Sequence, residues 1–304
     1  MRVFVTGVCG QLGHDVVNEL VRRGIDAVGS DIQPVYSGID DCSAAVKAQY
    51  FPMDITDREA VFATMQNVRP DAVIHCGAWT AVDAAEEEEN RKTVFAVNAD
   101  GAQNVAAAAN AIGAKILYLS TDYVFSGNGT KPWEPDDKNF APLNVYGKSK
   151  LDGERGVAGS NPRFFIVRIA WVFGLNGKNF VKTMIRVGKT HDAVRVVNDQ
   201  IGTPTYTYDL ARLLVDMIQT ERYGYYHATN EGGYISWYDF CCEIYRQYGL
   251  KTKVIPVTTE EYGVPGAARP KNSRLDKKKL AENGFELLPT WQDAVARYLT
   301  EADL

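Results

Sequence analysis

The sequence predicts an α/β protein: a doubly wound parallel sheet followed by a smaller C-terminal α/β lobe. Three observations predict it. Short β-branched runs alternate with helical periods through the first 172 residues. A glycine triplet stands between the first strand and the first helix. Beyond residue 172 the pattern changes to helices separated by short strands. Strand–helix alternation implies parallel pairing through right-handed crossovers. We therefore expect one lobe over residues 1–172 and a second over 173–304, the boundary approximate and segments free to cross between lobes.

Each element has its own warrant. "RVFVT" is a β-branched run, and "QLGHDVVNELVRRG" after it repeats apolar residues at helical spacing: Leu12, Val16, Val17, Leu20 and Val21. "DAVGSD" reads as a second strand. A third ends at "YFPMD", with Asp54 and Ile55 at its end. The polar stretch over residues 32–49 reads as a loop or irregular insertion. "TDREAVFATMQNV" is a helix, with Thr56 and Glu59 spaced as a capping box. "DAVIH", "KILYLS" and "FFIVRI" are buried strands, and "NADGAQNVAAAANAIG" and "YGKSKLDGERGVA" are helices between them. In the second lobe, helices are expected at "FVKTMIRVG", "YTYDLARLLVDMIQ", "SWYDFCCEIYRQYG" and "TWQDAVARYL". Strands are expected there at "AVRVVND", "GYYHAT" and "KVIPV".

Composition narrows the function. Of 304 residues, 45% are hydrophobic and 23% charged, which suits an ordinary globule. The net charge of −5 and the lack of a basic tract argue against a nucleic-acid partner. No apolar run reaches the roughly 18–20 residues that span a bilayer, so no membrane is expected. "MRVFVTG" runs straight into the glycine loop without a signal-peptide pattern. Five cysteines, odd in number and without metal spacing, read as reduced cytoplasmic thiols.

The glycine loop "VFVTGVCGQLGHDVV" places Gly7, Gly10 and Gly13 between strand and helix, with Gln11 and Leu12 at the helix mouth. Glycines there allow a tight turn and close approach of a pyrophosphate, and the helix N-terminus offers unpaired N–H groups. A structural turn is the alternative; the position points to a dinucleotide and a Rossmann-like sheet. Asp31 ends the second strand, eighteen residues past Gly13. A carboxylate there bonds the adenosine ribose and repels a 2′-phosphate, favouring NADH over NADPH; the alternative is a loop cap. Asp54 and Ile55 would line the adenine pocket, and Ala78, Trp79 and Thr80 follow the fourth strand at the sheet's carboxyl edge, where ligands bind.

"NVYGKSK" sets Tyr146 and Lys150 four residues apart, on one face of a helix. An ammonium beside a phenol favours the phenolate, making the tyrosine a better acid–base group near neutral pH. A lone pair of this kind also describes an ordinary surface contact.

"TGVCGQLG", "HCGAWTAVDAAE", "STDYVFSG", "NVYGKSKLDGE", "RIAWVFG", "NDQIGTPT" and "RPKNSRLD" occur in this order over nearly the whole chain. Together they resemble the extended short-chain dehydrogenase/reductase superfamily and, within it, the dTDP-4-dehydrorhamnose reductase family. The resemblance implies reduction of dTDP-4-dehydro-β-L-rhamnose by NADH or NADPH, in the supply of dTDP-L-rhamnose for cell-surface polysaccharide. Carried over by position, Tyr146 is the proton donor and Lys150 its activator and a nicotinamide-ribose ligand. Thr121 bonds the substrate oxygen, Asp122 touches the sugar, Trp171 and Val82 stand at sugar-contact positions, and Asn98 supports the lysine through water. Arg269 holds the nucleotide diphosphate, a role suited to a bidentate guanidinium; its alternative is a surface charge. Thr121 as a strand-end cap and Trp171 as core are the corresponding structural alternatives.

Two rival functions stay open. A nucleotide-sugar 4-epimerase of the same superfamily shares the Tyr–Lys pair, and a non-catalytic NAD(P)-binding regulatory subunit shares the fold. A dehydratase would need a second carboxylate where Tyr123 stands. The run Glu86–Glu89 reads as a solvated helix start, favoured by the dipole, and no metal site is expected. Some members of the resembled family are magnesium-bridged dimers. Here Gln292 occupies the position of a bridging carboxylate, so a monomer is expected over a dimer.

Overall fold

In the computed structural model, which describes residues 1–263 and 265–302, seven strands form one parallel sheet. They are β1 (Arg2–Thr6), β2 (Asp26–Asp31), β3 (Gln49–Pro52), β4 (Ala72–His75), β5 (Lys115–Thr121), β6 (Phe164–Ile169) and, from far along the chain, Gly224–His227. The order from edge to edge is Gly224–His227, β6, β5, β4, β1, β2, β3, so the chain reverses direction between β1 and β4. A crevice opens at that switch, outside the strand ends. β1 is buried on both faces at Val3, Phe4 and Val5, which is why it shows no polar–apolar alternation.

Helices cover both faces. α1 (Gln11–Arg22) lies on one, with Val16, Val17 and Leu20 in the core. On the other lie α3 (Arg58–Val68), α5 (Ala102–Ala111) and α6 (Val145–Ser160); Met65, Val105, Ala109 and Val157 share a cluster with Phe4, Val73 and Ile116. α4 (Glu88–Phe95) runs into α5 through a π-turn at Ala96–Gly101.

The second lobe contributes to the sheet. Gly224–His227 pairs in parallel with β6, Tyr226 opposite Val167. α8 (Thr207–Ile218) packs on α1, placing Leu210, Leu214 and Met217 against Val16, Val17 and Leu20. The rest forms a smaller lobe. There β7 (Val172–Phe173), α7 (Phe180–Gly188), β8 (Ala193–Val197), β9 (Ile201–Gly202) and β10 (Thr205–Tyr206) precede α8. With Gly224–His227 as β11, β12 (Asn230–Glu231), β13 (Ile235–Ser236), α9 (Trp237–Tyr248), β14 (Lys253–Val257) and α10 (Thr259–Tyr262) follow. α11 (Lys278–Glu282), β15 (Leu288–Thr290) and α12 (Trp291–Glu301) end the lobe. Phe173, Ile185, Phe240, Trp291 and Tyr298 make its core. Arg297 on α12 grips Asp209 on α8 bidentately, at 2.8 and 2.7 Å, and so ties the lobes together.

Three local expectations differ. α3 is capped by Asp57, which accepts from Ala60 N at 3.0 Å, rather than by Thr56. Thr56 is committed elsewhere: its N–H and hydroxyl both donate to Asp54 Oδ1. β3 stops at Pro52, so Asp54 and Ile55 lie beyond it. The polar stretch after β2 contains a short helix, α2 (Ala44–Lys47), held because Ala45 buries its methyl and donates its N–H to Asn18.

A buried ion pair locks β5, β6 and α6 together. Arg168 on β6 and Glu154 on α6 are 1% and 2% exposed and meet through two hydrogen bonds of 2.8 Å. Ser120 on β5 donates to the same carboxylate at 2.5 Å. Removing one partner strands a buried charge. Arg168→Leu should therefore destabilise the fold by about 3–5 kcal/mol in urea melts. Joint replacement of Glu154 by Leu should recover much of that loss. A double variant no better than the single one would mean that the loss comes from packing rather than from an unpaired carboxylate.

Candidate functional site

The cleft at the switch holds about 1010 Å³ and is lined from both lobes. Its floor is the glycine loop. Gly7 has φ +71°, and a Cβ there would lie 2.6 Å from Gly77 N. A Cβ on Gly13 would lie 2.2 Å from Gly7 O. Only glycine permits this approach of strand, turn and helix. Gly10 leads into α1 with no side-chain cap and no acid in the first turn, so the helix N–H groups face the cleft unopposed. Such a cradle fits a diphosphate. Asp31 stands at the end of β2 and lines the cleft. Its Oδ2 accepts from Cys9 N at 3.0 Å and its Oδ1 from Ile32 N at 2.8 Å, which fixes the carboxylate beside the loop.

The other end of the cleft lies across the sheet edge. Thr121 closes β5; its hydroxyl donates to Asp122 Oδ1 at 3.0 Å and accepts from Tyr123 N at 3.2 Å. Asp122 is 2% exposed, and its Oδ2 has no hydrogen-bond partner among the described residues. Burial pushes its carboxyl up to about 6, against the pull of the Ser273 and Thr121 hydroxyls.

Tyr146 and Lys150 project from α6 one turn apart. The start of α6 is held twice: Asn144 accepts from Gly147 N at 2.7 Å, and Glu86 Oε1 accepts from Val145 N at 2.7 Å. Glu86 is thus a helix clasp, and only the acids after it are the solvated face expected from sequence. Tyr146 meets Tyr123 edge-on at 5.7 Å. The expected lowering of its phenol is reversed: burial and then the Asp122 carboxylate push it above its ordinary value, and only a bond to Thr121 pulls it down. Lys150 does not offset this. Its ammonium sits 4.1 Å over the Tyr118 ring, and burial brings it down to about 7 against the pull of Glu154 and Cys76.

Most of the expected positions converge here. Gly7, Gly10, Gln11, Leu12, Gly13, Asp31, Ala78, Thr80, Val82, Thr121, Asp122, Tyr146, Lys150, Trp171 and Arg269 all line the cleft. Asp54, Ile55, Trp79 and Asn98 are not among the lining residues. Asp54 is exposed and accepts from Thr56 through Oδ1, and Ile55 packs on Gly101, where a Cβ would come within 2.8 Å of it. Asn98, 1% exposed on the π-turn, bonds both backbone groups of Trp79 and the Ser149 hydroxyl. It fastens the loop after β4 to α6 from behind. Arg269 reaches the rim but is held bidentately by Asp83, at 3.0 and 2.7 Å.

Sequence reasoning missed Trp237, Phe180 and Lys178, all on the cleft wall. Trp171 sits at φ +51°, a strained conformation for a tryptophan, and stacks on Trp237 at 3.8 Å and 17°. No spacing links residues 171 and 237; only the folded second lobe brings them together. No group of three or more His, Cys, Asp or Glu side chains among the described residues could hold a metal ion. No helix among them is long and apolar enough to cross a membrane.

The buried ammonium gives a pH signature. Unfolded, the Lys150 amine keeps its proton to about 10.5; folded, to about 7. Between those values only the unfolded chain binds the proton, so stability rises with pH across that window. Below pH 7 the ammonium is charged in both states and its burial is a constant cost. Lys150→Met should raise the Tm by several degrees at pH 6, and the gain should shrink toward pH 10. A gain independent of pH, in thermal melts of both proteins, would show that no ammonium is buried there.

The RmlD substrate binding domain family matches residues 1–304. The chain is 39% identical over 303 residues to the dTDP-4-dehydrorhamnose reductase of Streptomyces griseus, covering 97% of this chain and 91% of that one. It is 36% identical over 300 residues to the spore coat polysaccharide biosynthesis protein SpsK of Bacillus subtilis strain 168, covering 99% and 97%. The crystal structure of dTDP-4-dehydrorhamnose reductase from Bacillus anthracis in complex with NADP superposes with a TM-score of 0.88, at 40% identity and 99% coverage of both chains.

Proposed function

The chain belongs to the RmlD substrate binding domain family, and from that premise we propose that it reduces dTDP-4-dehydro-β-L-rhamnose to dTDP-β-L-rhamnose with NADH or NADPH. One observation carries the reading: Thr121, Asp122, Tyr146 and Lys150 converge in the cleft whose other end is the glycine loop. The cofactor, when bound, supplies the hydride. Everything else falls to side chains of this chain.

Gly7, Gly10 and Gly13 admit the diphosphate to the N-terminus of α1, and Asp31 takes the adenosine ribose, which favours NADH. Tyr146 gives its phenol proton to the C4 oxygen as charge develops there. Its raised pKa keeps that proton in place at neutral pH. The Thr121 hydroxyl is the second donor toward that oxygen. Lys150, near 7, gains and loses a proton in the working range, and its charge favours the phenolate left by transfer. Asp122 offers its unpaired Oδ2 to a sugar hydroxyl, beside Val82 and the Trp171 wall. Arg269, released from Asp83, is the cation for the sugar-nucleotide diphosphate.

Asn98 serves this site from behind by fixing the loop after β4. We read the protein as a monomer independent of divalent ions, because Gln292 stands where a bridging carboxylate would be needed. A dimer that dissociates and loses activity with EDTA, by mass measurement in solution, would overturn that.

The deciding assay follows NADH and NADPH oxidation with the dTDP keto-sugar. We expect oxidation only with that substrate. Epimerisation of UDP-galactose without net oxidation would make the protein an epimerase, and no turnover of either would leave a binding subunit. Tyr146→Phe removes one hydroxyl and should cut turnover on the order of 10²–10⁴-fold, with cofactor affinity nearly unchanged because the lost contact acts in the transition state. Turnover near that of the unaltered protein would end the proton-donor assignment.

A further inference from the structure

A strap from the second lobe crosses the mouth of the glycine loop. It runs from residue 174 to residue 179, between β7 and α7. Its polar side chains are almost all committed. Asn176, 5% exposed, donates to Cys9 O at 2.8 Å and Gly10 O at 3.1 Å, and accepts from Ile39 N at 3.1 Å. Asn179 donates to Gln11 Oε1 at 3.1 Å and to Gly174 O at 2.8 Å, and caps α7 by accepting from Lys182 N at 3.0 Å. The Lys182 ammonium donates back to Leu175 O and Gly177 O. Gly177 has φ +74°, and a Cβ there would lie 3.3 Å from Gln11 Cγ. The strap is therefore pinned at three places to the turn that opens α1.

Lys178 is the exception. It lines the cleft with Gly10 and Gln11, and among the described residues it has no hydrogen bond or ion pair. A fixed backbone thus sets an exposed, unpaired lysine on the cleft wall, next to Gly177, which packs on Gln11 at an uncapped helix N-terminus with no acid in its first turn. No carboxylate of that turn competes for the ammonium, so both the helix and the lysine favour an anion at this place.

We propose that Lys178 is a cofactor-binding residue whose ammonium contacts the diphosphate of NAD(P)H, so that the second lobe helps to hold the cofactor. This rests on the reading of the glycine loop as the cofactor's phosphate site. Other anions fit the position less well. A 2′-phosphate belongs beside Asp31 at the end of β2; Asn176 reaches that side through Cys9, but Lys178 follows Gly177, which packs on Gln11 at the helix mouth. The sugar-nucleotide diphosphate has its own cation in Arg269, on the loop that Asp83 holds.

The test titrates NADH, NADPH, ADP and AMP against the full chain without sugar nucleotide, by fluorescence and displacement. Lys178→Gln should weaken NADH, NADPH and ADP alike, on the order of tenfold as for a charge-assisted contact. AMP, with a single phosphate, should be weakened less. Lys178→Arg should restore most of the affinity, and added KCl should weaken the unaltered protein more steeply than the Gln variant. Weakening of NADPH alone would assign Lys178 to a 2′-phosphate and overturn the proposal. Unchanged cofactor affinities with a raised KM for the sugar nucleotide would assign it to the substrate and equally overturn it. Unchanged values throughout would leave an idle surface lysine. If the unaltered protein binds none of the four nucleotides, the cofactor reading itself fails, before any variant is compared.

Discussion

The geometry of the polar groups in the cleft depends on one buried contact, the Glu154 carboxylate shared by Arg168 and Ser120. It joins three elements that each carry part of the site. Ser120 immediately precedes Thr121 at the end of β5. Glu154 lies one helical turn past Lys150 on α6, and two turns past Tyr146. Arg168 precedes Trp171 by three residues at the end of β6. Fixing one carboxylate therefore fixes the rotation of α6 against both strands. The arginine is enclosed by Phe125, Phe140 and Tyr225, each ring within about 5 Å, so the pair cannot relax toward water. A buried pair is weak evidence for stability in general. Here it specifies an orientation.

Why the fold was legible, and parts of the site were not, follows from where the information sits. The main strands and most helices announce themselves through local composition, because a strand buried on both faces must be apolar and a helix on a sheet must carry one apolar stripe. The glycine loop and Tyr146–Lys150 are contiguous motifs and were read directly. Misreadings came where two local patterns compete. Asp54 and Asp57 both offer carboxylates at the start of α3; Asp54 captured Thr56, so the cap moved to Asp57. The third strand ends at Pro52, so Asp54 and Ile55 follow it rather than close it. Trp237 and Lys178 were illegible for a different reason. Their roles depend on the packing of a second lobe against the first, and no local spacing records it.

That packing also explains why the division into lobes is not a cut in the chain. β11 extends the main sheet beyond β6, and α8 supplies one of its covering layers. The smaller lobe is attached at both ends of α8 and by the Arg297–Asp209 pair. A lobe rooted in the main core can hold a wall such as Trp171–Trp237 steady against the sheet edge. The φ of +51° at Trp171 is sustained by this overdetermination: the ring is stacked on one side and crowded by Gly202 on the other, where a Cβ would come within 2.9 Å.

The charge pattern around Asp122, Tyr146 and Lys150 is a consequence of burial. Three groups that would ordinarily be charged or easily charged are moved toward neutrality: Asp122 upward, Tyr146 upward and Lys150 downward. A phenol raised in this way is a poorer acid in isolation, which stands against the proton-donor role we propose for Tyr146. The opposition dissolves once the reaction is considered. A proton donor must keep its proton until an oxyanion develops, and a raised pKa does that at neutral pH. What must then be strong is the acceptor's demand, and an alkoxide formed in a buried cleft is far more basic than a phenolate. On that proposal Lys150, brought down to about 7 by burial, holds its proton more firmly as negative charge appears on Tyr146. In the proposed reaction, burial thus holds the charges of Tyr146 and Lys150 back until transfer creates a partner for them.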